Sequence, residues 1–194
     1  MKNLKLSESI AKDFLCDSSD FLKRFGVLFE SSITSHIGLR SKLLIDLIFS
    51  AECSLKALIF LNSNKNEKEI YNQIFTHKLQ DLLDKLPSDE KNQCSSYIDE
   101  KLLDYDIGNR YLIETHKTYR SNGFLSEKYY NTISNFNWLK NVYNNFSELN
   151  KYVWTKIKVP IEDITFNEIN IDNLKEEHSR IMNLKKNRRR GHSS

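Results

Sequence analysis

An apolar pattern over residues 39–61 limits what this chain can fold into more than any other feature. Apolar side chains recur there at helical spacing on one face, and two phenylalanines widen that face. A helix that is apolar over so much of its circumference must be enclosed by other elements on several sides. The pattern therefore predicts a central helix in a bundle. The residues that form it are Leu39, Leu43, Leu47, Ile48, Phe49, Ala51, Leu55, Leu58, Ile59 and Phe60.

Few turn-forming residues are available for any other architecture. The chain has 194 residues with only 5 Gly and 2 Pro, whereas a sandwich or barrel needs many tight turns. A content of 39% apolar and 28% charged residues is that of a globular domain with its own core. We therefore predict an all-α fold, an up-and-down bundle of four to five helices.

Further helical patterns surround the central one. Residues 7–29 form an amphipathic pattern in which Gly26 is a point of potential interruption. Thr76 is predicted as the N-cap of a short helix that ends at Pro87, and Ser88 as the cap of the next. A last long pattern covers residues 126–152 as one helix, with Ser126 as its N-cap.

The chain divides into three regions on this basis. Residues 1–155 are the predicted bundle, with its core in residues 39–152. Residues 156–184 alternate β-branched positions and then end in a short helical pattern, which predicts an extended arm or hairpin followed by a short helix. Residues 185–194 form a basic tail.

The N-terminus and the cysteines bear on location. Residues 1–14 are charged and polar, without the apolar stretch of a signal peptide, and no run of eighteen apolar residues suggests a membrane span. The three cysteines form no C-x-x-C pair. We therefore expect a cytoplasmic protein with reduced thiols and no association with a membrane.

Most catalytic motifs are missing from the sequence. The five histidines are far apart, and no glycine-rich phosphate loop or nucleophile elbow is present. We expect no metal and no cofactor. What remains is the pair Arg110 and His116, in a polar and aromatic segment over residues 105–125.

This pair suits phosphodiester cleavage. A histidine can take a proton from a ribose 2′-hydroxyl or return one to the leaving oxygen, and an arginine can hold the phosphate. Six residues apart, the two side chains lie about 240° apart around a straight helix, so they converge only across a bend or a loop-to-helix junction. The alternative is structural, with Arg110 beside Glu114 on the surface and His116 bonded to a loop backbone.

Three segments resemble the HEPN-domain family (higher eukaryotes and prokaryotes nucleotide-binding). The central helix, with Glu52 and the L-K-A-L sequence, resembles that family's central helix. The segment THKLQDLLDKL is similar to its His-x-Leu-x-x-Leu helix start, and NRYLIETHKTY to its Arg-x4–6-His signature. The resemblance covers roughly residues 39–152.

The resemblance implies a bundle that dimerises and a metal-independent ribonuclease of the toxin or phage-defence type, with an antitoxin or regulatory partner. It makes His116 the acid/base and Arg110 the phosphate clamp, with the polar Asn109 beside the arginine. Tyr119 follows His116 by three residues, where one branch of the family has a tyrosine two residues after the histidine.

Other residues have smaller predicted roles, each with an alternative. Glu52 precedes Lys56 by four residues, so it either pairs with Lys56 or orients the Arg-His segment. Arg120 could add phosphate contacts, and the nearby aromatics could stack RNA bases or pack the end of the bundle. Those aromatics are Tyr105, Tyr111, Tyr119 and Phe124.

The tail carries five cations that would attract an RNA backbone without sequence preference. They are Lys185, Lys186, Arg188, Arg189 and Arg190, and without them the rest of the chain has a net charge of −2. The alternative for the tail is a disordered, solubilising end. For the whole chain the main alternative is a non-catalytic HEPN-like module that binds RNA or a protein, and a further one is a helical adaptor.

Overall fold

The computed structural model describes residues 4–30 and 36–158, and their regular secondary structure is helical apart from one two-stranded hairpin. The prediction of an all-α bundle is confirmed. The helices are α1 (Leu4–Phe29), α2 (Ile37–Asn62), α3 (Glu67–Gln73), α4 (Leu79–Leu83), α5 (Ser88–Ser95), α6 (Leu112–Tyr119), α7 (Glu127–Asn131) and α8 (Phe136–Trp154). Short 3-10 helices occupy Glu100–Leu102 and Ile107–Arg110, and an antiparallel hairpin joins β1 (Arg120–Ser121) to β2 (Phe124–Leu125).

Helix α2 is the centre of the bundle, as its apolar pattern predicts. It packs against α1 along one side and against α8, α4 and the 107–119 segment on others. Its apolar side chains from residue 43 to residue 60 are buried apart from Phe49 and Cys53, which are half-buried. The enclosure on several sides explains why this helix lacks a polar face.

Helix α1 runs without a break through Gly26. The glycine is exposed and a Cβ at its position would meet nothing within 4 Å, so no packing demand acts on it. Its neighbour Phe25 is buried and stacks on Phe29 and on Tyr143 of α8, with ring centroids 5.0 and 5.2 Å apart. This aromatic packing holds the last turns of α1 in the helix.

A buried polar cluster joins the three long helices. The Ser18 hydroxyl of α1 lies 2.9 Å from the hydroxyls of Ser50 and Ser54 on α2. Asn150 of α8 donates from Nδ2 to the same Ser18 oxygen at 2.9 Å and to the Leu15 carbonyl at 3.3 Å. Because buried polar groups need partners, this cluster fixes how the three helices align along their axes.

Residues 126–152 form two helices, so the prediction of one continuous helix is wrong. Helix α7 ends at Asn131, and Thr132 has φ −131° and ψ −99°, outside the helical region. Asn135 then caps α8, because its side-chain oxygen accepts a hydrogen bond from the Trp138 N–H at 3.0 Å. Ser126 does precede α7, but its side chain makes no cap hydrogen bond.

The predicted capping roles of Thr76 and Ser88 are also wrong. Helix α4 begins at Leu79, and Thr76 instead accepts from the Lys78 N–H and donates to Asp81 at 2.9 Å. Helix α5 begins at Ser88 itself, after Pro87. It ends at Ser95, and the chain then turns through a 3-10 helix with Ile98 and Leu102 buried.

Candidate functional site

The segment that carries Arg110 and His116 is a junction between a 3-10 helix and an α-helix. Asp106 begins the 3-10 helix by accepting a hydrogen bond from the Gly108 N–H at 2.7 Å. Arg110 is the last residue of that helix, Tyr111 is extended with φ −93° and ψ 145°, and α6 starts at Leu112. The predicted loop-to-helix junction between Arg110 and His116 is therefore present.

Asn109 anchors this junction to the bundle. Its side chain is 2% exposed, and its carbonyl oxygen accepts from the hydroxyls of Ser41 on α2 at 2.7 Å and Thr115 on α6 at 2.5 Å. Its side-chain oxygen accepts from the hydroxyl of Thr118. Asn109 thus has a structural role in positioning Arg110.

Arg110 is exposed, and its guanidinium lies over the ring of Tyr111. Its Nη2 donates to the Tyr111 hydroxyl at 2.8 Å, and the guanidinium carbon is 4.8 Å from the centroid of the tyrosine ring. Both residues line a cavity of about 410 Å³ at the junction of α1, α2 and the 3-10 helix. The contacts with Tyr111 therefore orient a guanidinium that lines this cavity.

That cavity is cationic. Arg24 and Lys42 line it together with Arg110, and among the described residues that line it the one acid is Asp46. Asp46 forms an ion pair with Arg24, which donates hydrogen bonds to it from Nε at 2.7 Å and from Nη2. The hydrogen bond to Asp46 raises the pKa of Arg24, and burial opposes that rise. Lys42 and Arg110 therefore leave the cavity with excess positive charge, and neither forms an ion pair within the described residues.

His116 lies in the second turn of α6 and is half-buried. It shares a helix face with Leu112, four residues earlier. No hydrogen bond joins it to Arg110 in the part of the chain that the structure describes, and it does not line the cationic cavity. The structure thus places the two predicted catalytic residues on one segment, with no hydrogen bond between their side chains and with only Arg110 lining the cavity.

The aromatic residues of the segment divide into two groups. Tyr119 and Tyr105 are buried, and their hydroxyls are hydrogen-bonded to each other. Burial raises the pKa of both phenols. Tyr119 is therefore a core residue, as the packing alternative predicts. Tyr111 and Phe124 are exposed and are available to a ligand.

Arg120 stabilises a turn. It lies on β1 and donates to the Gly123 carbonyl at 3.1 Å, next to the positive φ angles of Asn122 and Gly123. The guanidinium remains exposed at the edge of the hairpin. Its predicted phosphate contact stays a prediction.

Glu52 is buried on α2 and its partners lie away from the Arg-His segment. Its Oε1 accepts from Lys56 Nζ at 2.6 Å, which confirms the predicted i, i+4 pair. Both carboxylate oxygens also lie 3.1 Å from Nδ1 of His77, in the loop before α4. Sequence reasoning could place Glu52 on the helix, but the approach of His77 depends on tertiary structure.

Several predictions fall outside the described residues. These are the short helix and most of the arm in residues 156–184, and the five tail cations Lys185, Lys186, Arg188, Arg189 and Arg190. Within residues 4–30 and 36–158, no helix has the length and apolar character needed to cross a membrane. The same residues hold no group of three or more His, Cys, Asp or Glu arranged to bind a metal ion.

The sequence pattern does not predict two features of the site. The pairing of Arg24 with Asp46 joins two helices, and the burial of Asn109 depends on hydroxyls from α2 and α6. Only the position of Asn109 beside Arg110 drew attention to it in the sequence. Comparison of the chain with protein-family models, curated proteins and solved structures finds no match.

Proposed function

We propose that this protein is a metal-independent endoribonuclease of HEPN type, with Arg110 as the phosphate clamp and His116 as the acid/base. The observation that carries the proposal is the cationic cavity, in which neither Arg110 nor Lys42 forms an ion pair with any of the described residues. Such a cavity favours the anionic backbone of RNA. Tyr111, exposed beside Arg110, offers a surface on which an unpaired base can stack.

The reaction is a transesterification within the RNA chain. His116 takes the proton from a ribose 2′-hydroxyl, and the 2′-oxygen forms a bond to the adjacent phosphorus. The bond from phosphorus to the 5′-oxygen breaks, and that oxygen takes a proton from an imidazolium. Arg110 stabilises the charge that accumulates on the non-bridging oxygens. The products carry a 2′,3′-cyclic phosphate and a 5′-hydroxyl.

We propose that the active site forms between two copies of the chain. In a homodimer whose Arg-His segments face each other, the arginine of one chain and the histidine of the other can approach a single phosphate. This arrangement supplies two imidazoles, one as base and one as acid. The proposed setting is the cytoplasm, where the enzyme acts as a toxin or antiphage effector controlled by an antitoxin or regulatory partner.

The test is cleavage of total cellular RNA in EDTA by wild type, His116→Ala and Arg110→Ala, followed by end-group analysis. We expect cleavage by wild type alone, with cyclic-phosphate ends. Lys117→Ala is the matched control, because Lys117 is an exposed cation next to His116. Equal cleavage by wild type and His116→Ala would refute the proposal.

A non-catalytic RNA-binding module is the second candidate, and one observation favours it. His116 does not line the cavity that holds Arg110, so RNA can occupy the cavity without meeting the imidazole. This candidate predicts no cleavage and an RNA affinity that survives His116→Ala. It also predicts that deletion of residues 185–190 weakens RNA binding, since the tail adds five cations.

A further inference from the structure

A group of polar side chains outside the Arg110 cavity surrounds Glu52 of α2. The carboxylate is 5% exposed and is shared by two partners, Lys56 and His77. A buried carboxylate is stable when it is both paired and hydrogen-bonded, and this one is. Glu52 therefore holds the side chains of Lys56 and His77 in place, and we call it the Glu52 anchor.

The anchor orients the ring of His77. Ionised Glu52 only accepts hydrogen bonds, so Nδ1 of His77 carries the proton that points at it. The edge of the ring also packs on Phe49, with centroids 6.3 Å apart. Nε2 has no hydrogen-bond partner within the described residues, and the side chain is 55% exposed. The ring is held on one side and offers its second nitrogen on the other.

A cavity of about 220 Å³ opens beside these two side chains. Among the described residues that line it, Lys56, Thr76 and His77 are polar, and the others are aromatic or aliphatic: Phe14, Tyr71, Ile74 and Phe75. Lys56 uses one ammonium hydrogen for Glu52 and keeps two others. Phe75 is 83% exposed although it is large and apolar. Contact of this apolar ring with water is unfavourable, and a bound ligand would bury it.

We infer that this cavity binds a small phosphate monoester whose organic part is a single aromatic ring. The phosphate lies between Lys56 Nζ and Nε2 of His77, and the ring lies against Phe75 and Tyr71. The inference does not depend on the proposed ribonuclease activity.

Both protonation states of His77 suit a phosphate monoester. The imidazolium donates from Nε2 to a phosphate dianion, and the neutral imidazole accepts from the hydroxyl of a monoanion. Lys56 donates in either case. The size of the cavity favours one ring, because it is smaller than the 300 Å³ or so at which drug-sized pockets begin.

The experiment is calorimetric titration of the full chain with phenyl phosphate, inorganic phosphate and phenol. We expect phenyl phosphate to bind about tenfold more tightly than inorganic phosphate, since the ring contacts aromatic side chains. Phenol, which lacks the anion, should bind more weakly than phenyl phosphate. Failure of phenyl phosphate to bind at about 10 mM would overturn the inference.

Variants locate the site. Phe75→Ala and His77→Ala should each weaken phenyl phosphate binding about tenfold, and Phe75 is too exposed for its removal to disturb the fold. Tyr130→Ala, which removes an exposed tyrosine on α7, is the matched control and should change nothing. Unchanged affinity in both Phe75→Ala and His77→Ala would also overturn the inference.

The cationic cavity at Arg110 is a second place where a phosphate could bind, so Arg110→Gln is the decisive control. Binding at Lys56 and His77 predicts that Arg110→Gln keeps the wild-type affinity for phenyl phosphate. A loss in Arg110→Gln alone assigns the binding to the other cavity and refutes the inference. Because His77→Ala should leave RNA cleavage unchanged, failure here and failure of the proposed ribonuclease are distinguishable.

Discussion

The side-chain oxygen of Asn109 accepts a hydrogen bond from the hydroxyl of Thr118, nine residues later in the chain. Together with the bonds from Ser41 and Thr115 to the Asn109 carbonyl, it joins the 3-10 helix, α2 and α6. The backbone of Arg110 is therefore fixed relative to the helix that carries His116.

Replacement of Asn109 by alanine should destabilise the protein by about 1–2 kcal/mol, because Thr118 loses its acceptor and a buried side chain is removed. Chemical denaturation monitored by circular dichroism measures the change. Asn92→Ala, at an exposed position on α5, is the matched control and should cost less than about 0.5 kcal/mol. An equal effect of the two substitutions would contradict the anchoring role.

Loss of the Asn150 side chain should destabilise the bundle by about 2–3 kcal/mol in Asn150→Ala. Ser18 and the Leu15 carbonyl would lose a buried donor at the contact of α1 with α8. Asn144→Ala removes an exposed amide from the same helix and should leave the free energy of unfolding almost unchanged. Thermal melts of the two variants beside wild type provide the comparison.

The end of α8 is attached to α5 by a pH-dependent contact. Glu90 accepts from Tyr152 at 2.6 Å and from Lys156 at 2.8 Å. Burial tends to raise the pKa of Glu90, but these hydrogen bonds outweigh it and lower that pKa below its usual value. The hydrogen bond to Glu90 raises the pKa of Lys156.

The sign of the pH dependence follows from these directions. Glu90 is more acidic in the folded state, so its contribution is complete above its unfolded pKa and is lost as the pH falls through the lower, folded value. Lys156 stays charged throughout that range. Wild type should exceed Glu90→Gln in stability by about 1 kcal/mol at pH 7, and the difference should shrink below about pH 4. A difference that is constant from pH 7 to pH 3 would contradict the contact.

The three cysteines should differ in reactivity. Burial raises the pKa of all three thiols, but Cys16 is exposed, whereas the pKa of Cys53 and of Cys94 rises to about 12. At pH 8 a thiol of that pKa is ionised in only about one molecule in ten thousand. Ellman's reagent should therefore detect one fast thiol in the native protein and three after denaturation. In Cys16→Ser the fast phase should vanish, and its persistence would show that another thiol is accessible.

Lys42→Gln should weaken RNA binding and reduce the slope of log affinity against log salt by about one, because one phosphate contact is lost. Filter binding at several salt concentrations measures both quantities. Lys117→Gln is the control for charge alone, since Lys117 is exposed on α6 and does not line the cavity. Equal slopes for wild type and Lys42→Gln would place the RNA elsewhere on the protein.

The sequence predicted the parts of the fold that depend on local pattern. The all-α class and the central position of α2 follow from spacing and composition. The break between α7 and α8 was missed because the apolar stripe continues across it through Ile133, which is buried. Asn135 carries a local cap signal, but the continuous helical periodicity of the surrounding apolar residues obscures it.

The tertiary partners of the site could not be predicted from the sequence. Glu52 meets His77 twenty-five residues later, and Arg24 meets Asp46 on another helix. Hydrophobic spacing indicates which face of a helix turns inward, but it does not specify which polar group of a distant segment arrives there. For that reason the cation-lined cavity and the Glu52 anchor both appear only in the structure.

The enclosure of α2 also affects synthesis of the protein. Helix α1 precedes α2 and can pack on it as soon as both have left the ribosome, but α8 begins only at Phe136. Until then the face of α2 that α8 covers stays open to water. A nascent chain that stalls before α8 is made exposes this apolar surface of α2. Such a surface promotes aggregation and is bound by chaperones and quality-control proteases.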